Sequence, residues 1–582
     1  MSSLNQYVTM DKIWRIKPIP NSSKADELSK SLNISTLLAS LLLQRGINTF
    51  EKAKIFFRPM LSQLHDPFLM QDMDKAVKRL QRAIAQKEKI LVYGDYDVDG
   101  TTSVALMYSF LVSIYEPKQV EFYIPDRYKE GYGISTQGID YAKANDFRLI
   151  IALDCGIKSI DKIDYANTLD VDFIICDHHN PGSEIPKAVA VLDPKRKDCN
   201  YPFKELSGCG VGFKLLQAMI QKMNISEINI SNYLDLLVTS ISADIVPIVD
   251  ENRILCYYGL KQINENPRSG LRALMGVAGF KKELTITNVV FGLAPRINAA
   301  GRIHHAHAAV DLLLAEDEPE ASKFAQNLNE TNSSRKDFDT LITCEAKELI
   351  QQQVDYETLK STVLFKKDWH KGVVGIVASR CIESYYKPTI ILTESNGKAT
   401  GSARSVDGFD VYEAICECAH LLEQFGGHTH AAGMTMPLEN VDTFRTTFES
   451  IVSQRITPDQ LIPKIDIDME VDIDFITQKN FNIIKQMQPF GPGNMTPVFL
   501  TRHLVSDINS SRIVGDNHLK LTVWNKSKPN RKIDGIAFGM GNQLELIASG
   551  KPFELCYSIE ENTWNEKTIL QLMVKDVRRE YL

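Results

Sequence analysis

Seven side chains able to hold a metal or move a proton fall in three short strings: Asp95, Asp97 and Asp99 in GDYDVDG (Gly94–Gly100), Asp154 in ALDCG (Ala152–Gly156), and Asp177, His178 and His179 in CDHH (Cys176–His179). Carboxylates this dense repel one another unless cations neutralise them, and a pair of divalent cations is the economical answer. Two adjacent imidazoles add nitrogen to an oxygen-rich set, a mixture that suits Mn2+ as well as Mg2+.

Each string directly follows an apolar run: Ile90–Tyr93, Leu149–Leu153 and Phe173–Cys176. Such runs read as strands of a parallel sheet buried on both faces, and open α/β sheets bind ligands beyond the carboxyl ends of their strands. Asp97 and Asp99, at i and i+2, face the same way if the segment is extended. Gly100 then turns the chain, and TTSVALMYSFLV reads as a helix with Thr101 or Thr102 near its N-terminus. A second helix over Tyr233–Ile241 runs into SADIVP, so Asp244 projects from a helix end as a further ligand. Taken singly, each string has a bland reading as a turn or a cap. Together they make a site.

At 582 residues, 44% apolar and 24% charged, the chain is long enough for several cores, and its net charge of −7 does not advertise a nucleic-acid coat. No apolar stretch approaches a membrane span and no leader is evident, so the expectation is a cytoplasmic protein without a membrane partner. The ten cysteines lack CxxC spacing and read as buried thiols, the CxC of Cys416 and Cys418 being helix packing. No GxxxxGK[ST] string occurs, which removes P-loop ATPases; SGCGVGF (Ser207–Phe213) reads as a tight turn into a helix.

The expected organisation is an accessory helical segment over 1–70, a doubly wound α/β domain over 71–318, and a long, solvent-exposed connecting helix over 319–355. A break near Asn332, or two stacked helices in place of one, stays open for that segment. A second, smaller α/β domain follows over 356–455. Residues 460–582 change to short alternating segments such as HLKLTVW and FELCYSIE and read as a small β-barrel of the OB type.

GDYDVDG, DCG, DHH and SADIVP, in this order, resemble the motifs of the DHH phosphoesterase superfamily. The later strings APRINAAGR (Ala294–Arg302), WHKGVVGIVASR (Trp369–Arg380), GSARSVDGFD (Gly401–Asp410), FGGHTHAAGM (Phe425–Met434) and PFGPGN (Pro489–Asn494) are similar to those of its bacterial branch of single-strand-specific 5′ exonucleases. The resemblance implies two-metal hydrolysis of phosphodiesters, degradation of single-stranded DNA from 5′ to 3′ in recombination and repair, a DHHA1-like second α/β domain and an OB-fold at the C-terminal end. It implies Asp97, Asp99, Asp154, His178 and Asp244 as metal ligands, with Asp154 as the bridge because it ends the central strand. Asp95 and Asp177 would orient ligands, and His179 would face the scissile phosphate, so that Asp95 and His179 are the catalytic candidates beside the metals.

Phosphate contacts are expected from Arg127, Arg296, Arg302, Ser402, Arg404 and His428, with Asn298 nearby; Ser402 and Arg404 alternate on a strand, and Gly426 and Gly427 allow close approach beside His428. Trp524 and Trp564 serve either as a stacking surface for DNA or as barrel core. Expected partners are single-stranded DNA, a helicase and a single-strand-binding protein, with the chain itself monomeric. One departure is IHHAHAAVDLLL after AAGR, where the family runs acidic and small; His304, His305 and His307 read as surface or groove residues near the DNA, not a third metal site. The alternatives are a small-substrate phosphohydrolase of the same superfamily, which would lack the accessory N-terminal segment and the C-terminal barrel, and a non-catalytic DNA scaffold, which would have lost ligands.

Overall fold

The computed structural model describes residues 11–353, 355–564 and 567–580. The chain gathers into two compact units. One comprises Lys54–Arg335 with Gln488–Met495, and the other Met1–Ala53, Lys336–Met487 and Thr496–Leu582.

The first unit is built on five parallel strands: β1 (Lys89–Gly94), β2 (Val120–Tyr123), β3 (Phe147–Leu153), β4 (Asp172–Cys176) and β5 (Ala190–Leu192), ordered 2-1-3-4-5. The two faces take alternate side chains. Ile90, Val92, Leu149, Ile151 and Ile174 enter one core, and Leu91, Tyr93, Ile150, Ala152 and Ile175 the other. That is why these strands read as unbroken apolar runs. The strand order reverses between β1 and β3, the place where a doubly wound sheet opens a crevice. Three helices close on that edge: α1 (Val98–Ile114), α2 (Gly208–Met223) and α3 (Leu234–Ala243). A fourth, α4 (Ala294–Ile303), carries the APRINAAGR string.

One unbroken helix of 35 residues, α5 (Glu318–Gln352), spans the boundary between the units. The expectation of a solvent-exposed helix needs correcting. Ala321, Ala325, Leu328, Asn332, Arg335, Asp339, Ile342, Ala346 and Ile350 form a buried stripe at spacings of three and four. Its polar members are paired within the fold, Arg335 with Asn332 at 2.9 Å and Asp339 with Arg380 at 2.8 Å, so their polarity did not betray a buried face.

In the second unit, β6 (Thr362–Phe365) pairs parallel with β7 (Thr389–Ser395). β8 (Lys398–Arg404), β9 (Gln424–His428) and β10 (Ala431–Pro437) complete an antiparallel extension in the order 9-10-8-7-6. Helix α6 (Val374–Tyr385) packs on β7 and β8. The C-terminal strands β11 (Phe499–Val505), β12 (Ser511–Val514), β13 (His518–Asn525), β14 (Lys528–Ala537), β15 (Phe553–Trp564) and β16 (Lys567–Arg579) form one sheet. There β11 pairs with β15 on one side and with β13 on the other. The N-terminal segment joins this unit through Ile13–Ile16, which pairs parallel with Lys464–Ile467. Among the described residues, no helix is long and apolar enough to cross a membrane.

Candidate metal centre

All three strings sit beyond the carboxyl ends of β1, β3 and β4. The first differs locally from expectation. Asp97 and Asp99 do not share an extended segment: Asp97, itself extended, caps α1, its carboxylate accepting the Gly100 N–H at 3.0 Å, and Asp99 lies in the first turn of the helix. An Asp-x-x-Gly start satisfies a free helix donor as well as any turn would. The helix therefore begins at Val98 with Asp97 as its cap; Thr101 and Thr102 do lie near its N-terminus, their hydroxyls bonding back to the carbonyls of Asp97 and Val98. Gly100 is required by proximity, since a Cβ there would lie 2.3 Å from the Asp95 carbonyl oxygen.

Asp99 is held by three donors: the backbone N–H groups of Gly208 (2.6 Å) and Cys209 (2.9 Å) and the Ser240 hydroxyl (2.7 Å). The first two open helix α2, so the carboxylate accepts free donors of a helix N-terminus. Ser207 caps that helix through Gly210 and shares a 2.6 Å hydrogen bond with Ser240. The SGCGVGF string is thus a helix N-terminus that grips Asp99. Its Gly208 lies so close to Asp154 that a Cβ would stand 2.6 Å from the Asp154 Cβ. Sequence reasoning missed Ser207 and Ser240 in this role.

Asp154 follows β3 in a left-handed backbone (φ 60°), a conformation Asp tolerates. After β4, Asp177 is saturated: Oδ1 accepts from His178 N (2.7 Å), His179 N (3.1 Å) and His179 Nδ1 (2.7 Å), and Oδ2 from Ile157 N (2.8 Å). Burial raises its pKa, but the hydrogen bond and charge of His179 outweigh that and hold it well below the usual carboxylate range. Conversely, burial lowers His179, yet its bond to Asp177 wins and lifts it to about 9. Its Nε2 faces the Tyr132 hydroxyl at 3.1 Å.

His178 Nε2 lies 3.2 Å from Asp154, 3.6 Å from Asp244 and 3.7 Å from Asp99. Asp244 reaches this point as the C-cap of α3. The ligand atoms fall into three overlapping groups: Asp95, Asp97 and Asp154; Asp154, His178 and His179; and Asp99, His178 and Asp244. Asp154 belongs to two of them. Asp95, expected to orient other groups, stands within ligand distance itself, and so does His179.

The chemistry of this set fits divalent cations. Asp95 Oδ1, Asp154 Oδ1 and both ring nitrogens of His178 are buried without a hydrogen-bond partner. Burial first, and the charges of neighbouring carboxylates second, raise the pKa of Asp95, Asp97, Asp154 and Asp244. A folded chain carries such a cluster when an ion satisfies it.

The expected phosphate contacts divide between the units. In the first, Arg127 lies over the Tyr96 ring at 4.9 Å, and its charge bears on Asp95. Arg302, at the end of α4, accepts the Tyr128 hydroxyl on its carbonyl. Arg296 is committed within the fold, donating to Asn329 at 2.9 Å and to the Gly292 carbonyl at 2.6 Å, and Asn298 is half-buried on the same helix. His304 and His305 are exposed, while His307 pairs with Asp311 at 3.0 Å.

In the second unit, Ser402 and Arg404 do alternate on β8, bonded to each other at 2.7 Å. A Cβ on Gly375 would stand 2.9 Å from Arg404 Nη2 and 3.1 Å from Ser402 Oγ, so the bare first turn of α6 backs this pair. His428 ends β9, exposed, with Nδ1 accepting the His430 N–H at 3.3 Å. Trp524 is half-buried under the Lys532 ammonium, 4.4 Å from the ring centroid; the side chain of Trp564 lies outside the described residues.

Residues 89–241 match the DHH family N-terminal domain, 353–454 the DHHA1 domain and 467–576 the RecJ OB domain. The single-stranded-DNA-specific exonuclease RecJ of Bacillus subtilis is 39% identical over 97% of this chain and 70% of its own length. That of Dickeya dadantii is 32% identical over 93% of this chain and 96% of its own. Among solved structures, RecJ from Thermus thermophilus in complex with Mn2+ superposes with a TM-score of 0.83 at 26% identity, covering 98% of this chain and 80% of that one. Exonuclease RecJ bound to manganese gives 0.59 at 30% identity, covering 69% of this chain and 98% of that one. With its acidic edge intact and these likenesses running almost end to end, the chain belongs to the RecJ family.

Proposed function

We propose that this protein is an exonuclease that hydrolyses single-stranded DNA from the 5′ end with two divalent cations, Mn2+ or Mg2+. The observation that carries the reading is the cluster of unsatisfied carboxylates and imidazole at the β1/β3 edge, with Asp97, Asp99, Asp154, His178 and Asp244 all present. Asp95, Asp97 and Asp154 would hold one ion, and Asp99, His178 and Asp244 the other, Asp154 serving both. Bound cations supply neutralisation of the phosphoryl oxygens and a water activated at neutral pH.

The chain's own groups do the rest. Asp177 fixes His179 as a donor at Nδ1 and keeps it charged, so Nε2–H is available to a non-bridging oxygen of the scissile phosphate. Ser207, Ser240 and the first turn of α2 keep Asp99 aimed. Arg127 and Arg302 in one unit, and Ser402, Arg404 and His428 in the other, supply phosphate contacts, the Ser402–Arg404 pair taking the 5′-terminal phosphate. Arg296 serves the first unit from behind, through α4. The C-terminal OB domain adds sequence-independent grip on the strand.

We place the protein in the cytoplasm as a monomer acting in DNA recombination and repair, on strands opened by a helicase and coated by a single-strand-binding protein. The test is direct. Purified protein given 5′-labelled single-stranded and blunt duplex DNA should degrade only the single strand, from the 5′ end, with Mn2+ or Mg2+ and not with EDTA. Equal attack on the duplex, or activity in EDTA, contradicts the reading.

A further inference from the structure

The PFGPGN string has no part in the site described so far. Although the chain on either side of it belongs to the other unit, Gln488–Met495 is counted with the unit that carries the acidic cluster. There the Pro492 carbonyl accepts the Ile248 N–H at 2.7 Å, four residues beyond Asp244. The fit is close on both sides of that bond. A Cβ on Gly491 would lie 2.6 Å from Ile248 Cδ1 and 2.9 Å from its Cγ1, and one on Gly493 2.9 Å from Val249 Cγ1.

The loop is braced from within and from behind. Gly491 and Asn494 exchange backbone hydrogen bonds of 3.0 and 2.9 Å, and Asn494 Nδ2 donates to the Pro489 carbonyl at 2.9 Å. Arg253 is buried in the helix Asp250–Glu265, which begins directly after the Asp244 segment. Its guanidinium donates to the carbonyls of Gln488 at 3.0 Å and Pro489 at 3.4 Å, and lies 3.7 Å over the Phe56 ring.

What needs this bracing is the residue after Asp244. Ile245 has φ 60° and is 63% exposed. A β-branched residue in the left-handed region is strained and gains nothing here from burial, so it persists only where the chain is fixed on both sides. Upstream, the Asp244 N–H is held by the Ser240 carbonyl at 2.9 Å. Downstream, the hold is Pro492.

We propose that the Pro489–Asn494 loop, braced by Arg253, is the positioning device for Asp244. It pins the chain beyond Ile245 so that the carboxylate stays beside His178 and Asp99. Gly491 and Arg253 are positioning residues for a group more than 200 positions away from the loop in sequence. The inference rests on the reading of Asp244 as a metal ligand.

The experiment titrates the metal-free full-length chain with Mn2+ by calorimetry, for wild type, Gly491→Ala, Arg253→Lys, Asp244→Asn, Gly491→Ala with Asp244→Asn, and Gly491→Ala with Ile248→Ala. Thermal melts without metal confirm folding, and Arg253→Lys carries the comparison if Gly491→Ala does not fold. Gly491→Ala should weaken Mn2+ binding by about tenfold or more, as loss of an orienting partner does. Adding it to Asp244→Asn should cost nothing further, because both act through one carboxylate. Removing the Ile248 side chain should recover most of the Gly491→Ala loss. Wild-type Mn2+ binding by folded Gly491→Ala and Arg253→Lys, or losses that add in full to that of Asp244→Asn, overturns the inference. If Asp244→Asn itself binds Mn2+ as the wild type does, the reading of Asp244 fails instead.

Discussion

The Ser240 hydroxyl donates to Oδ1 of Asp99 at 2.7 Å across 141 positions of sequence. With the two N–H groups of α2, this bond fixes a buried carboxylate in place beside His178 and Asp244. Ser240→Ala should therefore weaken Mn2+ binding by about ten- to a hundredfold while leaving the ligand count unchanged, the usual cost of losing an orienting partner. Raising Mn2+ should restore activity. A Ser240→Ala protein with wild-type Mn2+ dependence would show that Asp99 needs no such partner.

Asp154 stands with Asp95 and Asp97 in one ligand group and 3.2 Å from His178 of the other, so under the proposed assignment its loss would remove the ligand that both ions share. Asp154→Ala should lower nuclease activity by about a thousandfold or more. Because the metal-free cluster is a set of like charges, removing one should hold or raise the melting temperature in EDTA. Substantial cleavage by a folded Asp154→Ala protein contradicts the shared-ligand role.

The same repulsion sets a pH dependence. The carboxyls of Asp95, Asp154 and Asp244 are raised above the ordinary 3.8 by burial and by the charges of neighbouring carboxylates, Asp97 and Asp99 foremost. The folded, metal-free chain thus keeps protons that the unfolded chain has released, and stability falls as pH rises from about 4 upward. His179 adds to the slope, since its charged form, with a pKa raised to about 9, contributes stability fully present below 6.5 and lost as pH climbs through 9. Asp177 runs the opposite way, its contribution being present above 3.8 and lost only in acid. Melting temperature in EDTA should fall between pH 6 and 9, and saturating Mn2+ should flatten that fall. A melting temperature in EDTA that holds level or rises across this range contradicts the account.

Arg404 and Ser402 form one bonded pair backed by the first turn of α6. Arg404→Ala should reduce the preference for a 5′-phosphorylated over a 5′-hydroxyl strand by about ten- to a hundredfold, the worth of a charge-assisted contact of roughly 1.5–3 kcal/mol. Overall affinity for a long strand should fall less. Competition between the two labelled strands measures it, and an unchanged preference removes Arg404 from the 5′ end.

Much of this was legible in the residues because burial on both faces writes itself as unbroken apolar runs. Ile90–Tyr93, Leu149–Leu153 and Phe173–Cys176 are strands whose ends deliver the acids. The start of α1 was misplaced because an Asp that caps a helix and an Asp in an extended turn present the same local pattern, and only the close approach of Gly100 to Asp95 decides between them. The buried stripe of α5 was hidden by polar members such as Asp339, whose partner Arg380 is far along the chain. Ser207 was legible only as the start of a helix, and Ser240 and Tyr132 carried no signal at all. Their roles are hydrogen bonds to residues that only the fold brings near.

A site that holds two cations through a shared Asp154 has a stoichiometry that can be counted. Metal-free protein titrated with Mn2+ should bind two ions per chain, and Asp154→Ala should bind neither tightly. A wild-type chain that saturates with one ion, or an Asp154→Ala chain that still takes up two, would contradict the account.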